Sequence, residues 1–285
     1  GAFRGLHGRD EIPVLMITAN DQKDVRYQAL MGGANDFLNK PIDRAEFSAR
    51  ARNMISLRTA QKFLADRAQH LEALVEERTA EIRDREKELI FRMSRAAEFR
   101  DPETGAHIQR MAHYSQIIAR GMGLEPPKVK LILEAAPMHD VGKIGIPDYI
   151  LLKPGKLTPE EMEVMKGHSR LGFELLQGSG SEILRAGAEI AVSHHEKYDG
   201  SGYPKQLKGN EIPLYGRIVA VADVFDALTS ERPYKKAWTL EDAVAFLENG
   251  RGSHFDPLCV EAFLAGWDDV VAIRQRFQDE FVPQI

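Results

Sequence analysis

A single cysteine, Cys259, stands among the 285 residues, so an intrachain disulfide framework is excluded and a reducing compartment is expected. No apolar run approaches the roughly 20 residues needed to span a bilayer, and the opening GAFRGLHGRDE lacks the apolar core of a signal peptide. The chain therefore reads as cytoplasmic, with no membrane partner. Charge of one sign is not in excess either. With 38 Lys and Arg against 43 Asp and Glu the net charge is -5, so polymeric nucleic acid meets no general attraction, whereas a small anion held by local cations is compatible. Glycine and proline are absent from Met54 to Arg92, where charges alternate around a sparse apolar stripe. That predicts one long helix. Met54, Ala68, Val75, Ile82 and Leu89 repeat on one heptad position and Leu57, Leu64 and Leu71 on its companion, which turns to Arg78 and Arg85 later. A parallel homodimer through a coiled coil is the expected use; a helix packed on its own domains is the alternative.

Before this helix, IPVLMITA and ANDFLNKP read as short strands, each followed by a helical pattern, NDQKDVRYQALMGG and IDRAEFSARARNMI. The β-α-β-α unit resembles the C-terminal half of a two-component receiver domain, with Thr18 ending the first strand, Phe37 at the switch aromatic position and Lys40-Pro41 after the second strand. The resemblance implies that Thr18 and Lys40 are remnants of a phosphoryl-binding switch and that the Lys-Pro bond is cis. The strands that carry the acidic magnesium cluster and the phosphoacceptor aspartate are not in this sequence, so phosphorylation by the receiver mechanism is not expected of it.

From residue 93 onward the pattern is helical, broken at segments such as PDYILLKPGKLTP and EKYDGSGYPKQLKGNEIP. Histidines and carboxylates recur here in apolar surroundings. Glu103 and His107 are four apart in DPETGAHIQRM, His139 and Asp140 are adjacent in APMHDVGK, and His168 lies in MKGHSRLG. His194 and His195 end an apolar run, and Asp223 stands in AVADVFDALTS. Alone, any such histidine is more often a hydrogen-bonded core residue than a ligand; together they predict a site of imidazoles and carboxylates without thiolate. That donor set suits iron, manganese, zinc, cobalt or nickel. Adjacent His139 and Asp140 fit a metal pair better than one ion. Two ions acidify a water and clamp an in-line phosphoryl displacement, so phosphoester hydrolysis is the expected chemistry. His7, His70, His113 and His254 lie outside this pattern.

The order Glu103-His107, His139-Asp140 with VGK, His168, His194-His195, then DGSGYP and Asp223 resembles the HD-GYP phosphodiesterases, a branch of the HD hydrolase superfamily, over residues of about 95 to 265. The resemblance implies a mainly α protein: an HD-superfamily helical bundle over 93–285, preceded by a coiled-coil linker helix over 54–92 and a truncated α/β receiver-like fragment over 1–53. It implies hydrolysis of cyclic di-GMP to pGpG, and often on to GMP, as the output of a response regulator. Glu103, His107, His139, Asp140, His168, His194, His195 and Asp223 would be metal ligands, with Asp140 bridging and catalytic. Lys143 would be a catalytic and substrate-binding cation, and Tyr203, Arg232 and Lys235 would contact substrate. Two or three divalent ions are implied, iron first and manganese next, with Glu103 supporting the third. A GGDEF-domain protein meeting the GYP loop is a further implied partner. Two other functions compete: an HD hydrolase of another cyclic dinucleotide or nucleotide, and a non-hydrolytic cyclic di-GMP receptor or adaptor, against which the retained ligand set argues.

Overall fold

A computed structural model of the chain describes residues 12–19, 23–99, 105–231 and 236–278. The chain divides into two compact units, one ending at Arg83 and the other starting at Asp84. In the first, β1 (Leu15–Thr18) and β2 (Asp36–Asn39) pair in parallel with Leu15 opposite Asp36 and Thr18 opposite Asn39. Parallel neighbours need a crossover, and α1 (Lys23–Met31) supplies it. The Lys40 amide donates to the Thr18 carbonyl at 2.9 Å, which brings these two residues side by side at the end of the strand pair, and the Lys40-Pro41 bond is cis. The Arg26 guanidinium lies 5.1 Å from the Phe37 ring.

Helix α2 runs unbroken for 55 residues, Arg44–Glu98. The sequence suggests one helix opening after Pro41 and a second over 54–92; they are a single element that extends past both bounds. The reason is the absence of glycine and proline between Pro41 and Pro102, while Asp43 caps the start by accepting from the Glu46 amide at 2.8 Å.

The second unit is a helical bundle, so the chain is mainly α. Its elements are α3 (Gly105–Gly121), α4 (Pro126–Ala135), the four-residue α5 (Asp148–Leu151), α6 (Pro159–Leu176), α7 (Glu182–Ser193), α8 (Leu214–Thr229), α9 (Leu240–Asn249), α10 (Pro257–Ala265) and α11 (Trp267–Arg276). Helix α8 buries Ile218, Val219, Val221, Ala222 and Phe225 on nearly every side, which places it at the centre of the bundle between α3, α7, α9 and α10. An aromatic cluster of Tyr114, Phe225 and Phe263, with centroids 4.8–6.0 Å apart, closes the core under it. Among the described residues no helix is long and apolar enough to cross a membrane.

The end of α2 belongs to this second unit. Ile90, Ser94, Ala97 and Glu98 are buried, Lys87 pairs with Glu134 at 3.1 Å, and Ser181 donates to Glu86 at 2.6 Å. A chain beginning at Asp84 should therefore melt at a higher temperature than one beginning at Met93, which loses the buried Ile90 side chain, a contribution of about 1.5–3 kcal/mol. Thermal unfolding of the two fragments checks this, and equal melting points would show that the docked turns contribute nothing.

Candidate metal centre

The residues that form the centre come from six separate places in the chain. Helix α4 stops at Ala135 because Pro137, lacking an amide hydrogen, cannot continue it, and two short 3-10 turns follow, Ala136–Met138 and Val141–Gly145. His139 and Asp140 fall between them; His139 keeps helical dihedrals and Asp140 leaves them, so that neighbours in sequence reach different further partners. Asp140 is 6% exposed. Its Oδ1 faces His168 Nε2 at 3.1 Å and His194 Nε2 at 3.4 Å, while Oδ2 faces His139 Nε2 at 3.4 Å and Lys143 Nζ at 2.7 Å. His107 from α3 and His139 both turn Nε2 toward Asp223 Oδ1 on α8, at 3.7 and 3.9 Å.

Two groups of ligand-type side chains result. Asp140, His168, His194 and His195 form one, and Glu98, His107 and His139 the other, with candidate ligand atoms within 4.8 Å of one another in each. The imidazoles are aimed from behind. His139 Nδ1 bonds the Ala136 carbonyl at 3.3 Å, His168 Nδ1 the Met165 carbonyl at 2.7 Å and His194 Nδ1 the Ile190 carbonyl at 3.1 Å, while His107 Nδ1 bonds Asp226 at 2.8 Å. A carbonyl or carboxylate oxygen only accepts, so Nδ1 carries a hydrogen in each ring and Nε2 is the nitrogen left facing inward.

Burial opposes charge throughout the pocket, and the carboxylates decide where it wins. It pushes His194 below the ordinary imidazole range and His195 well below it, leaving both neutral at neutral pH. At His139 the same penalty is outweighed by Asp140, with Asp223 and Glu98 behind it, and the pKa is raised to about 9. Burial alone would raise the Asp140 carboxyl, but Lys143 and then His139 hold it well below the carboxylate range. A pocket whose carboxylates draw a proton onto a buried imidazole is one that takes positive charge. Among the described residues nothing hydrogen-bonds His139 Nε2, His194 Nε2 or Asp140 Oδ1, all buried. Convergent imidazole and carboxylate donors of this kind fit a divalent metal.

The GYP segment is held against this pocket. The buried Glu196 carboxylate accepts from the Lys205 amide at 2.7 Å and the Leu207 amide at 3.1 Å, folding the loop back so that the Tyr203 ring lies 4.7 Å from His195. Burial, then Asp140 and Asp223, pushes the Tyr203 hydroxyl up, so it stays protonated. Gly202 is needed for close approach: a Cβ there would stand 2.2 Å from the Lys197 nitrogen. Gly200, at φ +88°, is the residue that makes the left-handed turn.

Of the residues expected from sequence, His107, His139, Asp140, His168, His194, His195, Asp223, Lys143 and Tyr203 are brought together. Glu103, Arg232 and Lys235 lie outside the described residues, as does His7. His70 is on an exposed face of α2, while His113 stacks on Phe277 and His254 on Phe255. Sequence reasoning missed Glu98, 3% exposed beside His107 and His139, because the long-helix reading ends at Arg92. It also missed Glu196 and Asp226, although Asp226 stands in the same apolar run that marks Asp223.

A helical bundle with an imidazole and carboxylate pocket at its centre defines a metal-binding α-domain. Residues 91–258 match the HD domain family, and the chain belongs to it. Over 275 residues the chain is 49% identical to the protein named cyclic di-GMP phosphodiesterase response regulator RpfG of Xanthomonas campestris pv. campestris (strain 8004), which covers 96% of this chain and 73% of that one. Over 199 residues it is 46% identical to the protein named 3'3'-cGAMP-specific phosphodiesterase 2 of Vibrio cholerae serotype O1, covering 70% of this chain and 38% of that one. A crystal structure of the cyclic GMP-AMP phosphodiesterase V-cGAP3 of V. cholerae shares the fold, with a TM-score of 0.50 at 21% identity over 67% of this chain and 52% of that one. The chain thus spans between about half and three quarters of the first relative and the solved structure, and 38% of the second relative.

The backbone crossing beside Asp140 is tight enough to test. A Cβ at Gly142 would stand 2.0 Å from the His168 carbonyl oxygen and 2.4 Å from the Gly172 nitrogen, so the 3-10 turn and α6 touch backbone to backbone. Gly142→Ala must part them and draw His168 away from Asp140, with an expected loss of about 1–3 kcal/mol or more. Urea denaturation together with metal content checks this; unchanged stability and unchanged metal would mean that the crossing relaxes freely.

Proposed function

We propose that this chain is an HD-GYP-type, metal-dependent phosphodiesterase that hydrolyses cyclic di-GMP, with either pGpG or GMP as the end product. One observation carries the reading: Asp140 turns Oδ1 to His168 and His194 and Oδ2 to His139, while Lys143 stands 2.7 Å from Oδ2. That arrangement supports a bridging carboxylate between two ions, with His168, His194 and His195 on one side and His107, His139 and Asp223 on the other. Glu98 adds a carboxylate on the second side, beside His107 and His139; support of a third ion is the role the resemblance gives to Glu103. Iron is the first choice and manganese the next for a set of oxygen and imidazole donors. Bound there, such ions supply Lewis-acid charge and an activated water for opening a phosphodiester.

The protein's own groups then do the rest. Lys143, 12% exposed at its side chain, meets the phosphate as negative charge builds on its oxygens. Tyr203, protonated and seated on His195, donates toward substrate, and Arg232 and Lys235 follow α8 as cations for the second phosphate or a guanine. The relative named as cGAMP-specific favours one other reading, an HD hydrolase of a different cyclic dinucleotide. Turnover of cyclic di-GMP and 3'3'-cGAMP by protein loaded with iron or manganese under reducing conditions separates the two, and product analysis gives pGpG or GMP. No turnover of either would support a receptor instead.

Two substitutions divide the roles. Asp140→Ala should abolish hydrolysis and lower bound metal together, whereas Lys143→Ala should keep its metal and lose rate by about 2–4 kcal/mol, comparable to removing one oxyanion donor. Metal analysis beside a rate measurement checks both. Wild-type turnover in the first, or metal loss in the second, would undo the assignment.

Within a response regulator, residues 1–53 correspond to the C-terminal part of a receiver and α2 to the connecting coiled coil. The seam residues Leu57, Leu64, Leu71, Val75, Ile82 and Leu89 are 47% to 65% exposed. Leu89 is among them although Ile90 beside it is buried. A second copy is the partner that fits such a stripe, and a GGDEF-domain protein is the one implied for the GYP loop. Leu64→Glu with Leu71→Glu should convert a dimer to a monomer in light scattering at tens of micromolar, as an order-of-magnitude range for a marginal coiled coil. A wild-type monomer there would sink the coiled-coil proposal.

A further inference from the structure

His107 is oriented differently from the other imidazoles. His139, His168 and His194 bond carbonyls three or four residues earlier in their own segments, contacts that come with helical geometry. His107 instead donates Nδ1–H to a side chain 119 residues away, Asp226 Oδ2 at 2.8 Å. Asp226 is fully buried and lies one helical turn after Asp223 on α8. It accepts from four groups. Arg110 Nε meets Oδ1 at 2.6 Å, and Oδ2 receives Arg110 Nη2 at 2.9 Å, Ser230 Oγ at 3.1 Å and the His107 nitrogen.

A buried carboxylate is costly unless its charge is met, and Arg110 meets it with a two-pronged pair. Arg110 is itself held, by the Phe277 carbonyl at 2.9 Å and Ser230 Oγ at 2.7 Å, and it lies three residues after His107 on α3. The same face of α3 thus carries the imidazole and the cation that keeps its acceptor ionised. An ionised carboxylate can only accept, so Nδ1 carries a hydrogen, and in the neutral ring the lone pair is on Nε2, which faces Asp223.

We propose that Asp226, neutralised by Arg110, is the positioning residue for His107: it sets the tautomer and ring orientation of this one ligand and makes its Nε2 a stronger donor to metal. The inference rests on the reading of His107 as a ligand. A carboxylate behind a ligating histidine is worth about 10- to 100-fold in metal affinity. A purely architectural Arg110–Asp226 pair, joining α3 to α8, would leave the tautomer and the metal constant untouched.

The test uses the whole chain and Zn2+ alone, which is diamagnetic and needs no substrate. Long-range 15N spectra of metal-free protein should give His107 as the Nδ1–H form, and Asp226→Asn should convert it to a mixture of tautomers. Chelator competition should show one Zn2+ bound about 10- to 100-fold more weakly in Asp226→Asn, while the others keep their constants. Ser230→Ala, which removes a donor from the same carboxylate without touching His107, should change neither. Should Asp226→Asn fail to fold, Arg110→Met combined with Asp226→Asn leaves no buried charge and carries the same measurements. An unchanged tautomer, or unchanged Zn2+ constants in a protein that binds Zn2+, overturns the role of Asp226. Wild-type protein that takes up no Zn2+ defeats the metal reading instead, and the metal-free spectra still judge Asp226.

Discussion

The Asp140 carboxylate sets the terms for the second unit. It is buried, ionised and faced by four nitrogens, two from its own segment and two from separate helices. Lys143 comes from the same 3-10 turn, three residues on, where a tight turn brings i and i+3 to one side. His168 and His194 come from α6 and the end of α7. Leaving out Lys143 or His139 would strand the Asp140 charge in a medium that does not solvate it, so the site is also a condition for packing.

That condition explains why small residues gather around it. Gly142 lets the turn touch α6 at the level of His168, and Gly202 lets the GYP segment close over the backbone at Glu196 and Lys197. Both are places where a methyl group would collide with backbone, which cannot move as a flexible side chain can. The acidic residues behind the pocket serve a parallel purpose. Asp226 holds His107 and Glu196 holds the loop that seats Tyr203, so two of the least exposed carboxylates do their work through other residues.

Helix α2 shows the same economy at larger scale. One element 55 residues long presents an exposed leucine stripe over most of its length and then buries Ile90, Ala97 and Glu98 in the bundle. Its last turn brings Glu98 to His107 and His139, so an element that reads as a linker also ends beside the candidate metal centre.

Periodicity and composition were enough to foresee the parallel strand pair, the long helix and an all-helical remainder, because these depend on local backbone preference and on the spacing of apolar side chains. The unusual density of histidine and carboxylate in apolar runs marked His107, His139, Asp140, His168, His194, His195 and Asp223, since such groups are too costly to bury without a purpose. Which of them face which could not be read from spacing. The chain breaks at Pro137 and seats His139 and Asp140 between two 3-10 turns, and only the bundle's crossings bring α3, α6, α7 and α8 within bonding distance. Glu98, Glu196 and Asp226 escaped for the same reason: their partners are remote in sequence or are backbone amides of a loop, and a carboxylate's neighbours in space are decided by packing, not by the residues on either side of it.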